Sequence, residues 1–372
     1  MGKSRSCLLY PLASIYGSIT GIRNYLYDSG FLHSTEFEIP VICTGNITAG
    51  GTGKTPLTEY LIRLLKDKFR VALLSRGYKR KTAGFQMATA GTTVSDLGDE
   101  SFQIWQKFPD ILVAVDNNRV NGVSSILQNN PDIQVVLMDD GFQHRRIKPG
   151  LSIVLIDYNR PLSKDHLLPY GNLRENKKNL RRADIIIFTK SPADITNENM
   201  KTALRGLGPS AGKNVFFTSI TYGSPRPLFE GSIRHKLIPE NLEHSNSGAL
   251  LITGIASPEP LKRYLENFFG EIVHLNYPDH YNFRAGDYEK MRIAWEKMRS
   301  PVRYAITTEK DSVRLKYFSN IAEPLKRAFY YIPAGVAFLN GTNIEFDNLI
   351  LEYAGKNKGN GGVSEKQRDK GS

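Results

Sequence analysis

The segment Thr48-Ala49-Gly50-Gly51-Thr52-Gly53-Lys54-Thr55 constrains this chain more than any other. An apolar run, Ile39 to Thr44, precedes it, and a helical pattern, Pro56 to Leu65, follows. Strand, glycine-rich turn and helix in that order make a phosphate-binding loop. Gly50, Gly51 and Gly53 have access to positive φ, which lets backbone N–H groups close around phosphate oxygens. The helix start adds orphan donors and partial positive charge. Lys54 has the reach to meet β- and γ-phosphates, and Thr55 can offer its hydroxyl to Mg²⁺. The spacing G-x-x-x-x-G-K-[ST] is met with one departure, Thr48 in the first position. All eight residues, Thr48, Ala49, Gly50, Gly51, Thr52, Gly53, Lys54 and Thr55, are expected to bind nucleotide.

Continuous apolar runs recur after the loop, at Val71–Ser75, 111–115, 135–138, 153–157 and 185–189. They do not alternate, which fits strands buried on both faces of a parallel sheet. Helical patterns between them, around 100–108, 120–127 and 197–207, give a doubly wound α/β domain. Ligands on such sheets lie beyond the carboxyl ends of the strands, where Arg76, Asp116, Asp139, Asp140 and Lys190 stand. Past Phe216 the pattern changes, and a second set of units opens at Ala249–Gly254. The expected organisation is an N-terminal helix region over 1–34 and a P-loop domain over 35–220. A smaller α/β domain follows over 221–354, and the tail 355–372, rich in Gly, Lys, Asn and Ser, is expected to be disordered. A length of 372 residues fits about two domains.

From Leu8 to Tyr27, Leu8, Leu12, Ile15, Ile19, Ile22 and Leu26 fall on one helical face. Ser14, Gly17, Ser18 and Thr20 interrupt the stretch, which argues against a signal peptide. Packing on the protein's own core is one reading of this amphipathic helix; lying in a lipid headgroup region is the other. Net charge is +12, which favours anionic partners. Nucleic acid is not expected, because no basic motif is interleaved with aromatics. The two cysteines, Cys7 and Cys43, cannot build a disulfide framework or metal cluster. No apolar run is long enough for a spanning helix.

Asp139-Asp140 ends an apolar strand, where a Mg²⁺-organising carboxylate belongs in a nucleotide-binding domain; a solvated strand-end turn is the other reading. Gly98-Asp99-Glu100 precedes a helix, as an acidic first turn or as a general base on an acceptor hydroxyl. Arg174 stands in a long irregular stretch after Tyr158, suited to phosphate or to a loop salt bridge. His280, in Pro278-Asp279-His280-Tyr281, is either a solvated histidine or one facing a cleft. Thr308-Glu309-Lys310-Asp311 reads as a helix start with charged caps.

Taken in order, these motifs resemble the tetraacyldisaccharide 4′-kinase (lipid A 4′-kinase) family. The resemblance rests on 45–56, Ser75–Tyr78, 98–100, 139–144, 173–175, 278–280 and 308–311. It implies transfer of the γ-phosphate of ATP to the 4′-hydroxyl of an acylated glucosamine disaccharide 1-phosphate. It implies a two-domain P-loop protein holding ATP and Mg²⁺, peripheral at the cytoplasmic face of the inner membrane of a Gram-negative bacterium, with no obligate protein partner evident. Attachment of that kind favours the interfacial reading of the N-terminal helix. By the same resemblance Asp99 is the base, supported by His280 once the domains close. Arg174 lies near the transferred phosphoryl, and Asp139 and Asp140 lie near Mg²⁺ together with Thr55. Lys54, Asp99, His280, Asp139 and Arg174 are thus the expected catalytic set. The rival is a P-loop GTPase or ATPase of metallocentre-assembly or targeting type. After Thr189-Lys190, however, the aspartate stands at Asp194, out of register for guanine reading, and Cys/His clusters for metal delivery are lacking.

Overall fold

The computed structural model describes residues 9–208, 214–229, 244–316, 321 and 323–356. Leu8 and all of the tail from 357 onward lie outside the described residues. The chain divides into two compact units, 1–219 with 336–372, and 220–335.

The first unit opens with α1 (Tyr10–Asp28), then β1 (Val41–Asn46) and α2 (Lys54–Leu65) on either side of the glycine-rich turn. β2 (Val71–Ser75), β3 (Gln86–Met87), α3 (Val94–Leu97), α4 (Asp99–Lys107), β4 (Leu112–Val115), α5 (Arg119–Asn129) and β5 (Val135–Met138) follow. β6 (Leu151–Asp157), β7 (Ile185–Thr189), α6 (Asn197–Arg205) and β8 (Asn214–Tyr222) complete the run. In the second unit come β9 (Arg226–Pro227), β10 (Ser247–Thr253), α7 (Glu259–Leu265), β11 (Glu271–Asn276), α8 (Ala285–Glu296), β12 (Val302–Thr308), α9 (Glu309–Leu315), α10 (Glu323–Arg327) and β13 (Phe329–Ile332). β14 (Ala334–Phe338) leads back into the first unit, which ends with α11 (Asn343–Gly355).

The larger sheet has nine strands in the order β14-β8-β7-β6-β1-β5-β2-β4-β3. Every pairing from β8 across to β4 is parallel, and β3 closes the edge antiparallel to β4. Each residue of β1, β2, β5 and β7 is buried. That explains why these strands read as unbroken apolar runs: helices cover both faces. The second unit repeats the principle with five strands, β11-β10-β12-β13-β9, parallel except for β9.

One expected boundary needs correction. Residues 336–354 were expected in the smaller domain, yet β14 joins the nine-stranded sheet beside β8 and α11 packs on it. Phe346 of α11 meets Phe216 edge to face and Phe338 at a tilt, and Tyr60 of α2 donates to Asp347 at 2.8 Å. Burying those aromatics outweighs sequence proximity, and a linear reading has no access to such a return.

α1 also shows which way its apolar residues look. Leu12, Ile15, Ile19 and Ile22 are exposed over 52–62% of their surface, and Tyr10, Tyr25 and Phe31 are exposed as well. The inward face is small and polar. Ala13 and Asn24 are buried, and a Cβ on Gly17 would come within 2.7 Å of Leu167. The Tyr16 hydroxyl donates to the Arg174 carbonyl at 2.7 Å. Four helical residues that a protein core would take in are therefore turned to the outside. Among the described residues, no helix is long and apolar enough to cross a membrane.

Candidate active site

The glycine-rich turn sits at the carboxyl end of β1. Gly50 (φ +99°) and Gly53 (φ +85°) take the left-handed conformation that side chains resist. Thr48, which replaces the usual first glycine, needs no such freedom. It is held in an antiparallel bridge to Leu173, and Asn46 Nδ2 donates to its carbonyl at 2.8 Å. Asn46 also donates to Thr52 Oγ1 at 3.0 Å, bracing the turn from within. Ala49 stands apart from the rest of the set: its N–H donates to the Asn172 carbonyl at 2.7 Å and is already used.

Asp139 and Asp140 follow the end of β5 and are sent in different directions. Asp140 takes φ +48°, so the chain turns between them. Asp139 is 7% exposed and accepts from Thr44 Oγ1 at 3.1 Å. Burial pushes its carboxyl up to about 6, against the pull of Lys54 and with added repulsion from Glu100 and Asp140. Burial also acts on Asp140, but the Lys54 and Arg174 charges outweigh it and hold that carboxyl below its ordinary range. Lys54 Nζ lies 3.4 Å from Asp140 Oδ1, and Arg174 Nη1 lies 3.1 Å from both oxygens. Lys54, Arg174 and Asp140 thus meet at the mouth of the loop, with a second, easily protonated carboxyl behind them.

Arg174 is delivered by backbone. Its N–H donates to the Ile47 carbonyl at 2.7 Å, so the strap 166–175 is stitched to the turn. Glu175 beside it is buried and accepts from Gln143, Asn179 and Asn24 of α1 at 2.9, 2.8 and 3.3 Å. The length of this irregular loop singles out Arg174 in the sequence; the stitching residues carry no such signal.

Asp99 is the first residue of α4 and is buried. Gly98 before it has φ +79°, and a Cβ there would meet the Tyr78 carbonyl at 2.4 Å. The repulsion between Glu100 and Asp139 ties the start of α4 electrostatically to the end of β5.

A cationic region also lies at this edge of the sheet. The His144 imidazole is pushed down to about 4 by burial and by Arg119, Arg146, Arg23 and Arg76. The same region has an open pocket of about 460 Å³ lined in part by Arg23, His33, Asn118 and Arg146. Arg76 and Arg119 follow strands in the sequence and His144 closes the 139–144 motif, but Arg23 and Arg146 lie far from them in the chain, so only the fold gathers the group.

In the second unit, His280 occupies the turn after β11 with φ +57°. Its Nε2 is 3.0 Å from Lys310 Nζ and its Nδ1 3.2 Å from Arg314 Nη2, while Lys310 pairs with Asp279 at 2.9 Å. Thr308 caps α9: its Oγ1 accepts from the Asp311 N–H at 3.1 Å and donates to Asp311 Oδ2 at 2.7 Å. The Gly254 N–H reaches the same carboxylate at 2.8 Å. The 278–281 and 308–311 motifs therefore form one cluster. The second is a capped helix start, as its residue types suggest, but its lysine serves the histidine. Asp99 and His280 belong to different units.

A parallel sheet, a left-handed glycine turn between β1 and α2, and a lysine with paired aspartates at its mouth define a P-loop nucleotide-binding protein. The family model for LpxK, tetraacyldisaccharide-1-P 4′-kinase, matches residues 5–353. The chain belongs to that family. It is 40% identical over 366 residues to a tetraacyldisaccharide 4′-kinase of Bacteroides thetaiotaomicron, covering 96% of each chain. It is 43% identical over 358 residues to one of Phocaeicola vulgatus, covering 96% of this chain and 97% of the relative. It is similar to the crystal structure of "apo" form LpxK from Aquifex aeolicus in complex with ATP, at 27% identity and TM-score 0.68. That match covers 93% of this chain and 98% of the other.

Proposed function

We infer that this chain is the ATP-dependent kinase that phosphorylates the 4′-hydroxyl of a tetraacylated glucosamine disaccharide 1-phosphate, the lipid A precursor. The observation that carries the reading is the meeting of Lys54, Arg174 and Asp140 at the mouth of the glycine turn, in a chain of this family. Phosphoryl transfer needs positioning and charge neutralisation more than covalent help. Lys54 binds the terminal phosphates, and on their arrival exchanges its contact with Asp140 for phosphate oxygens. Arg174 neutralises charge on the transferred group. Asp99 takes the proton of the 4′-hydroxyl. His280, held between Lys310 and Arg314, is the second candidate catalytic group. The arginines around His144 offer a counter-charge to the acceptor's 1-phosphate.

The residues fit a bound Mg²⁺. Asp139 is a carboxyl raised by burial and by negative neighbours, which a dication relieves. Among the described residues no group of three or more His, Cys, Asp or Glu side chains forms a metal cage. An ion held by one or two carboxylates plus phosphate oxygens and water needs none. Asp139, Asp140 and the Thr55 hydroxyl would hold it, and it would neutralise charge between the β- and γ-phosphates. The outward apolar face of α1 supports a position on the cytoplasmic surface of the inner membrane, where an acylated acceptor resides.

The test is transfer of labelled γ-phosphate to the acylated disaccharide 1-phosphate, with ATP and GTP compared and acceptor present or omitted. Label on the glycolipid from ATP is expected. ATP hydrolysis indifferent to acceptor would favour the P-loop ATPase reading and overturn this one.

A further inference from the structure

The peptide unit is planar and trans, so a carbonyl held on one side of a loop sends the next residue's N–H to the other. Three carbonyls of the glycine turn are held this way by side chains that phosphate chemistry does not require. Arg160 Nη1 donates to the Ala49 carbonyl at 3.4 Å, and Lys190 Nζ donates to that of Gly51 at 2.5 Å. Thr189 Oγ1 donates to the Thr52 carbonyl at 2.7 Å. The N–H groups thereby turned away from these ties belong to Gly50, Thr52 and Gly53. Among the described residues none of the three donates to a protein acceptor.

Behind the ties stands Asp157, the last residue of β6. It is 2.8 Å from Lys190 Nζ and 3.8 Å from Arg160 Nε. The Lys190 and Asp157 side chains are 10% and 3% exposed. Lys190 itself takes φ +57° at the end of β7. A buried ion pair and a left-handed non-glycine residue both oppose folding, and such costs persist where a site needs them.

We propose that Asp157, Lys190 and Arg160 are positioning residues for the nucleotide. They hold the Ala49 and Gly51 carbonyls outward, so that the phosphate-facing amides of Gly50 and Thr52 are aimed before ATP arrives. Thr189 does the same for Gly53. The pre-set cradle spares the nucleotide the cost of ordering the loop. The proposal rests on the ATP-binding reading above.

The test measures ATP affinity by calorimetry on the full-length protein, with melting temperature recorded for each variant. Lys190→Met is expected to weaken ATP by ~10-fold or more, the scale of a lost charged hydrogen bond. Lys190→Met with Asp157→Asn removes both buried charges, and is expected to recover melting temperature without recovering affinity. Lys190→Arg, which keeps a charged donor, is expected to bind ATP more tightly than Lys190→Met. Thr189→Val changes no charge and is expected to weaken ATP by ~2- to 10-fold. Wild-type ATP affinity in the double variant and in Thr189→Val would overturn the proposal, even if glycolipid transfer proved correct. Tight ATP binding by the wild type without glycolipid transfer would instead overturn the function and leave this inference standing.

Discussion

The outward face of α1 offers a prediction whose size follows from exposure alone. Fully burying a leucine or isoleucine side chain is worth ~1.5–3 kcal/mol. Leu12, Ile15, Ile19 and Ile22 each retain 52–62% of their surface outside the protein. Each therefore has about 1 kcal/mol still to gain on entering lipid, and the four together about 4 kcal/mol. That corresponds to a ~1,000-fold change in partition. Replacing all four by glutamine preserves helix propensity and leaves the inner face intact, with Tyr16 still on Arg174 and Asn24 on Glu175. Co-sedimentation with vesicles of mixed zwitterionic and anionic phospholipid reads the partition. High salt should be present, because the net charge of +12 supplies a separate, screenable attraction. Partition should fall by two to three orders of magnitude while ATP affinity holds. A change of less than about threefold would refute the bookkeeping and return the helix to a structural role.

Other predictions concern the site. Lys54→Ala should lower transfer by at least ~100-fold without unfolding the protein, since it removes the cation opposite the phosphates; circular dichroism and the labelled-phosphate assay check both halves. Asp99→Ala should cost kcat ~100-fold or more with little change in ATP KM, and an effect on ATP KM alone would make it a binding residue. Asp139→Asn tests the buried carboxyl. Its folded pKa, about 6 against an ordinary 3.8, means the native state holds the proton more tightly. The associated stability is present below about pH 4 and lost as pH rises through about 6, by up to ~3 kcal/mol. In chelator, wild type should therefore lose stability relative to Asp139→Asn between those limits in denaturant titrations; parallel curves would contradict the assignment. Wild-type transfer should also decline as falling pH protonates Asp139.

The chain order of residues was enough to place the central loop and the strands around it. A parallel sheet covered on both faces demands unbroken apolar runs, and Val71–Ser75 or Ile185–Thr189 have nothing else to be. Lys54, Asp99, Asp139 and Asp140 were legible because each stands at a strand end or helix start, where such residues meet ligands, and Arg174 because it stands in a long irregular stretch. Three things had to wait for tertiary structure. The return of β14 and α11 to the first sheet depends on aromatic packing between residues more than a hundred positions apart. The direction of the α1 stripe depends on which face found partners, since helical periodicity says that a face exists without saying what covers it. The ties from Arg160, Lys190 and Thr189 to the glycine turn join the ends of β6 and β7 to a loop more than a hundred residues earlier. Local sequence sets conformational preference over a few residues, whereas hydrogen bonds and buried charge are settled by whatever the fold brings within about 3 Å.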